Sequence, residues 1–131
     1  ELVRRNPDMI LDGGHNPQCM GALRRALEEL YPNRKILFMT GVLSDKDYPS
    51  MLGELLPLSK GFVTITPDSD RALSAGELAQ YLRQAGAEAQ PCGSVSEGIR
   101  TVLDLAQPDD VVCVCGSLYM IGEARHALGL C

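Results

Sequence analysis

Four short polar segments hold the residues of this chain that could do chemistry. The first is Asp12-Gly13-Gly14-His15-Asn16-Pro17. It sets a carboxylate and an imidazole on either side of two glycines, which permit a tight turn and close approach of a ligand to the backbone. Asn16 can cap a following helix, and Pro17 suits its first position. A carboxylate at a strand end, beside a helix N-terminus, can accept hydrogen bonds from ribose hydroxyls. The plainer reading is a capped turn with a locally satisfied Asp12 and a surface His15, because Asp and Asn favour such turns for local reasons.

The second segment, Gly41-Val42-Leu43-Ser44-Asp45-Lys46-Asp47, offers Lys46 to an anion or a partner domain, or is simply a solvated loop. The third, Thr66 to Ala72, contains Arg71, whose guanidinium can grip a carboxylate with two parallel hydrogen bonds. Its ordinary alternative is a weak surface pair with Asp68 or Asp70. The fourth, Gly116-Ser117-Leu118-Tyr119, pairs a hydroxyl suited to helix capping with a phenol.

Several chemistries have no residues to carry them. The chain lacks G-x-x-x-x-G-K-[ST], a G-x-G-x-x-G after its first strand and a G-x-S-x-G elbow. His15 and His126 lie far apart with no ligand cluster around either, so the expectation is no metal site. The five cysteines form no C-x-x-C pair; Cys113 and Cys115 alternate in an apolar run, Cys19 reads as helical and Cys131 is terminal. Reduced thiols in a cytoplasmic protein are the expectation.

The elements that position these segments follow from hydrophobic spacing. Met9 to Leu11, Ile36 to Met39, Phe62 to Ile65 and Val111 to Cys115 are short apolar runs bounded by Gly, Pro or Asp. Such runs suit strands buried on both faces of a parallel sheet. Weaker strands are expected near Glu88 to Gln90 and over Leu2 to Arg4, the latter at an edge where antiparallel pairing is open to it. Between the runs, apolar residues recur at helical spacing: Met20-Leu23-Leu27-Leu30, Met51-Leu52-Leu55-Leu56, Leu78-Leu82-Ala85, Ile99-Val102-Leu103-Ala106 and Leu118-Ile121-Ala124-Leu128. Ser74 with Glu77, and Ser94 with Glu97, have the spacing of capping boxes. Alternation of this kind predicts one α/β domain, with a mostly parallel sheet and helices on both faces. Ligands of such sheets sit beyond the carboxyl ends of the strands, which is where all four polar segments fall.

Composition bounds the rest. At 131 residues and 14.2 kDa the chain fits one domain and can bury enough surface to fold without a staple. A net charge of −5, with Lys and Arg scattered among more numerous acids, argues against nucleic acid as a partner. No apolar stretch is long enough to span a membrane. Glu1-Leu2-Val3-Arg4-Arg5 lacks both an initiator Met and a signal-peptide pattern, so a fragment or processed product is expected.

Three of the segments carry a family resemblance. Leu11-Asp12-Gly13-Gly14-His15-Asn16-Pro17 is similar to D-G-A-H-N-P, with Gly14 in place of the usual Ala. Gly41 to Asp47 is similar to G-x-x-x-D-K-D, and Val114-Cys115-Gly116-Ser117-Leu118-Tyr119 to C-G-S-L-Y. In this order and at this spacing they resemble the C-terminal domain of folylpolyglutamate synthases, including the bifunctional dihydrofolate synthases, of the Mur ligase superfamily. The resemblance covers essentially the whole chain. It implies a Rossmann-like three-layer sandwich over residues 1–131, preceded in the same chain by an N-terminal P-loop ligase domain.

The implied activity is ATP-dependent addition of L-glutamate to folate or dihydropteroate through an acyl phosphate. ATP and Mg2+ would be held mainly by the N-terminal domain, and the C-terminal domain would close over the nucleotide. Carried over residue by residue, Asp12 matches the ribose-contacting Asp, with His15 and Asn16 also on the ATP side. His15, Ser117, Tyr119 and Arg71 are candidates for the glutamate site. Asp45, Lys46 and Asp47 are assigned to the interdomain cleft. No catalytic residue is assigned within the 131 residues alone, which are expected to be inactive. The alternative is a non-catalytic α/β module that binds a nucleotide or a protein through the same rim.

Overall fold

Each apolar run becomes a strand because it is buried on both sides. The computed structural model describes residues 1–130; the terminal thiol of Cys131 lies outside them. In chain order the elements are β1 (Leu2–Arg4), β2 (Asp8–Leu11), α1 (Pro17–Leu30), β3 (Ile36–Thr40) and α2 (Tyr48–Leu55). A 3-10 turn (Leu56–Leu58) follows, then β4 (Ser59–Thr64), α3 (Ala75–Gln84), β5 (Ala89–Pro91), α4 (Val95–Leu105), β6 (Val111–Cys115) and α5 (Leu118–Ala127).

The sheet order is β1-β2-β6-β3-β4-β5. Every neighbouring pair is parallel except the edge pair β1–β2, which is antiparallel. Every residue of β3 and β6 is buried, as expected of central strands covered on both faces.

Strand alternation divides the core in two. Ile10, Phe38, Phe62 and Cys113 face α1, α2 and α3 through Leu23, Leu27, Leu52 and Leu78. Met9, Met39, Val63 and Val112 face α4 and α5 through Ile99, Val102, Met120 and Ala124. This is the three-layer α/β sandwich expected. Phe38 and Phe62 stack across the β3–β4 ladder with ring centroids 5.5 Å apart. Cys113 and Cys115 are buried, and the Cys115 side chain together with burial pushes the Cys113 thiol well up, so it stays protonated and unreactive.

The caps fall at the expected residues. Ser74 and Ser94 accept from the Glu77 and Glu97 amides. The reciprocal contact differs: Glu77 takes the Ser74 hydroxyl, and Glu97 takes the Gly93 amide.

The structure corrects four details. Leu30 and Leu118, placed on apolar stripes by their spacing, are 65% and 62% exposed. Leu30 is the last residue of α1, and on α5 the buried positions are Met120 and Ala124. The Phe62 run starts earlier, at Ser59, and Ile65 lies just past the strand. The edge strand β5 includes Pro91, which an edge strand tolerates because one side needs no donor.

Candidate functional site

Strand order decides which segments meet. The carboxyl ends of β2, β6, β3 and β4 are consecutive in the sheet. The rim therefore reads Asp12–Pro17, Gly116–Tyr119, Gly41–Asp47 and Thr66–Arg71, so segments from opposite ends of the chain become neighbours.

The first turn is closed by its own side chains. The Asp12 amide donates to the Val114 carbonyl at 2.9 Å, tying the turn to β6. Asp12 Oδ1 accepts from the Gly14 amide at 2.7 Å, while Oδ2 has no partner among the described residues. His15 Nδ1 lies 3.3 Å from the Gly13 carbonyl, and Asn16 Oδ1 caps α1 by accepting from Cys19 N at 2.8 Å. A methyl group at Gly14 would come within 2.8 Å of Asp12 Oδ1 and 2.9 Å of Cys19 Cβ. A side chain there would require Asp12 or Cys19 to shift. Beside it, Asp12, His15, Cys19, Leu23 and Leu118 line an open groove of about 480 Å3.

The next turn is pressed against β3. Gly116 has φ +114°, and a Cβ there would lie 2.5 Å from Thr40 Oγ1 and 2.6 Å from the Gly41 carbonyl. Only glycine meets both conditions. Ser117 is buried and accepts from the Tyr119 amide at 3.1 Å, so its hydroxyl is engaged as the α5 cap. Tyr119 is half exposed on the rim.

The two remaining segments form one unit. Leu43 and Ala72 make an antiparallel bridge, and the Leu73 amide donates to the Val42 carbonyl at 3.0 Å. The Arg71 carbonyl accepts from both the Ser44 amide (2.6 Å) and the Ser44 hydroxyl (2.8 Å). Arg71 Nη1 donates to Asp45 Oδ2 at 2.8 Å, and Nη2 lies 3.5 Å from the Tyr119 hydroxyl. The Tyr119 hydroxyl and the Asp45 carboxylate both hold the guanidinium more firmly protonated. The local pairing of Arg71 with Asp68 or Asp70 is therefore replaced by a contact across two loops. Asp47 caps α2 through Ser50 N at 3.3 Å. Lys46 makes no ion pair among the described residues.

The structure thus brings Arg71, Tyr119, Ser44 and Asp45 into one cluster, and Asp12, His15 and Asn16 into the adjacent turn. Sequence reasoning passed over two residues here. Thr40 Oγ1 is fully buried at the end of β3 with no hydrogen-bond partner among the described residues; a polar residue closing an apolar run was its only signal. Leu118 was read as core and instead walls the groove. Among the described residues, no three His, Cys, Asp or Glu converge as a metal site, and no helix is long and apolar enough to cross a membrane.

Comparison with known proteins fits this arrangement. The family described as Mur ligase, glutamate ligase domain, matches residues 1–118. The chain is 33% identical, over 95% of its length, to a probable bifunctional folylpolyglutamate synthase/dihydropteroate synthase of Halobacterium salinarum, of which it spans 15%. It is 30% identical to the folylpolyglutamate synthase of Lacticaseibacillus casei over 98% of its length, spanning 28% of that protein. The bifunctional folylpolyglutamate synthase/dihydrofolate synthase of Yersinia pestis, solved with AMPPNP and a Mn ion, superposes with a TM-score of 0.89 at 31% identity. That alignment covers 99% of this chain and 30% of the other. The chain therefore spans less than a third of the length of each of these relatives.

Proposed function

The chain belongs to the Mur ligase family, as its glutamate ligase domain, and from that premise we propose that it is the C-terminal domain of an ATP-dependent ligase adding L-glutamate to folate or dihydropteroate. In this reading a folate-type carboxylate oxygen attacks the γ-phosphorus of ATP, giving an acyl phosphate and ADP. The glutamate amine then attacks the acyl carbon, phosphate departs, and the amine proton is lost. The protein's work is positioning and charge stabilisation.

The observation that carries the reading is the gathering of all three family motifs on one rim. Asp12, with one carboxylate oxygen bonded into the turn and one open, suits a ribose hydroxyl donor. His15 and Asn16 complete that turn on the ATP side. In this reading Arg71 and Tyr119 take the glutamate carboxylate, with His15 on the same rim. Ser117 contributes by fixing the start of α5 rather than through a free hydroxyl. Asp45, Lys46 and Asp47 face the cleft toward an upstream P-loop domain of the same chain, which would bind ATP and Mg2+ in the main.

The test is turnover by the intact gene product. Phosphate release should require ATP, L-glutamate and either dihydropteroate or a reduced folate together. Nucleotide binding without glutamate-dependent turnover would favour the non-catalytic module instead.

A further inference from the structure

The Arg71 guanidinium is already holding a carboxylate. Its partner, Asp45 Oδ2, lies 2.8 Å from Nη1 in a single-point contact, and both side chains are about half exposed. The rest of Arg71 is fixed. Its carbonyl is held by Ser44 through two hydrogen bonds, its amide donates to Ser69 Oγ at 3.2 Å, and the bridge Leu43–Ala72 lies alongside. The Cα is therefore pinned while the long side chain can reorient. Nη2 lies 3.5 Å from the Tyr119 hydroxyl.

We propose that Asp45 is an internal stand-in for the carboxylate of the incoming amino acid: it occupies Arg71 in the empty domain and yields it when the amino acid docks. This rests on the reading that glutamate docks at this rim. The chemistry favours the exchange. A half-exposed pair joined at one point is weak. A carboxylate arriving in the plane of the guanidinium, at its edge, can take two parallel N–H bonds from it, which is both stronger and geometrically specific. Asp45 sits on a main chain tied at Ser44 to the Arg71 carbonyl, and it meets the guanidinium at one point only. Asp45 thereby becomes a competitor that raises the amino-acid concentration needed for half-saturation.

Steady-state kinetics of the intact ligase, with glutamate as the varied substrate, test this. Asp45→Asn removes the competing charge and should lower the glutamate KM about two- to fivefold, the range expected for releasing one surface ion pair. Asp45→Glu restores a carboxylate and should bring KM back toward the wild-type value. Arg71→Ala should raise KM, and in that background Asp45→Asn should have no further effect, because Asp45 acts only through Arg71. A KM that rises or stays unchanged in Asp45→Asn, while Arg71→Ala still raises it, overturns the stand-in and leaves the docking reading intact. An unchanged KM in Arg71→Ala overturns both. A wild-type enzyme that turns over without glutamate defeats the functional reading itself.

Discussion

In the proposed reading, Asp12 serves the fold and the site together. Oδ1 closes the turn at Gly14 N and Oδ2 is open to the rim. Asp12→Ala removes the Gly14 contact and the open oxygen together. In the intact ligase the ATP KM should rise about tenfold, as for loss of one good polar contact of roughly 1.4 kcal/mol. The domain should stay folded, because one such hydrogen bond contributes only about 1 kcal/mol. Unchanged kinetics would remove Asp12 from the site. Gly14 makes the complementary case. Gly14→Ala forces a methyl against Asp12 Oδ1 and Cys19 Cβ, and overpacking of this kind costs about 1–3 kcal/mol. Urea unfolding of the chain should show that loss; an unaltered midpoint would mean the turn yields freely.

At the scale of elements, burial rather than spacing sets the energetics. Leu27 and Leu30 lie on the same apolar stripe of α1, but Leu27 is 1% exposed and Leu30 is 65% exposed. Leu27→Ala should cost about 2–5 kcal/mol through lost burial and a cavity, whereas Leu30→Ala should stay within about 0.5 kcal/mol. Equal effects in denaturant melts would contradict the placement of the α1 C-terminus. A second element-level link ties β4 to the turn before β6. Lys60 Nζ contacts both Asp110 oxygens at 2.9 and 2.8 Å, and Asp110 Oδ2 also accepts from Gln107 N. Burial pushes the Asp110 carboxyl up, but the Lys60 ammonium and the Gln107 amide more than offset it, so the net shift is below the ordinary 3.8. A depressed folded pKa contributes stability that is present above that ordinary value and lost as pH falls through the lower, folded one. The gap in unfolding free energy between wild type and Asp110→Asn should therefore begin to narrow as pH falls below about 3.8 and close only below the lower, folded value. Parallel curves across that range would show the pair to be neutral.

For the whole molecule, the sheet is a device for bringing distant segments to one edge. β6, the last strand, inserts between β2 and β3, so the Gly116 turn separates the Asp12 turn from the Asp45–Arg71 unit while touching both sides. That rim is exposed, with an open groove beside Asp12. A site built this way needs a second wall. These 131 residues, purified alone, should neither hydrolyse ATP nor ligate glutamate; measurable turnover by them would refute the division of labour proposed here.

How much of this was legible in the sequence follows from the range of the forces involved. The strand runs, the capping residues Asn16, Ser74, Ser94 and Ser117, and the three motif segments are set by neighbours within a few positions, and they fall where local chemistry placed them, apart from strand ends such as the earlier start of β4 at Ser59. The antiparallel edge at Leu2–Arg4 and the three-layer architecture also followed, because buried strands alternating with amphipathic helices leave few other ways to cover both faces of a sheet. Partnership across the rim was not legible. Nothing local to Arg71 distinguishes Asp45 from the nearer Asp68 or Asp70. The bridge between Leu43 and Ala72 makes that choice by carrying one loop across to the other. The exposure of Leu30 and Leu118, the burial of the Ser117 hydroxyl and the unpartnered Thr40 hydroxyl likewise depend on which strand lies beside which. Local chemistry determined the elements and the candidate residues; strand order, a property of the whole chain's packing, decided which of those residues meet.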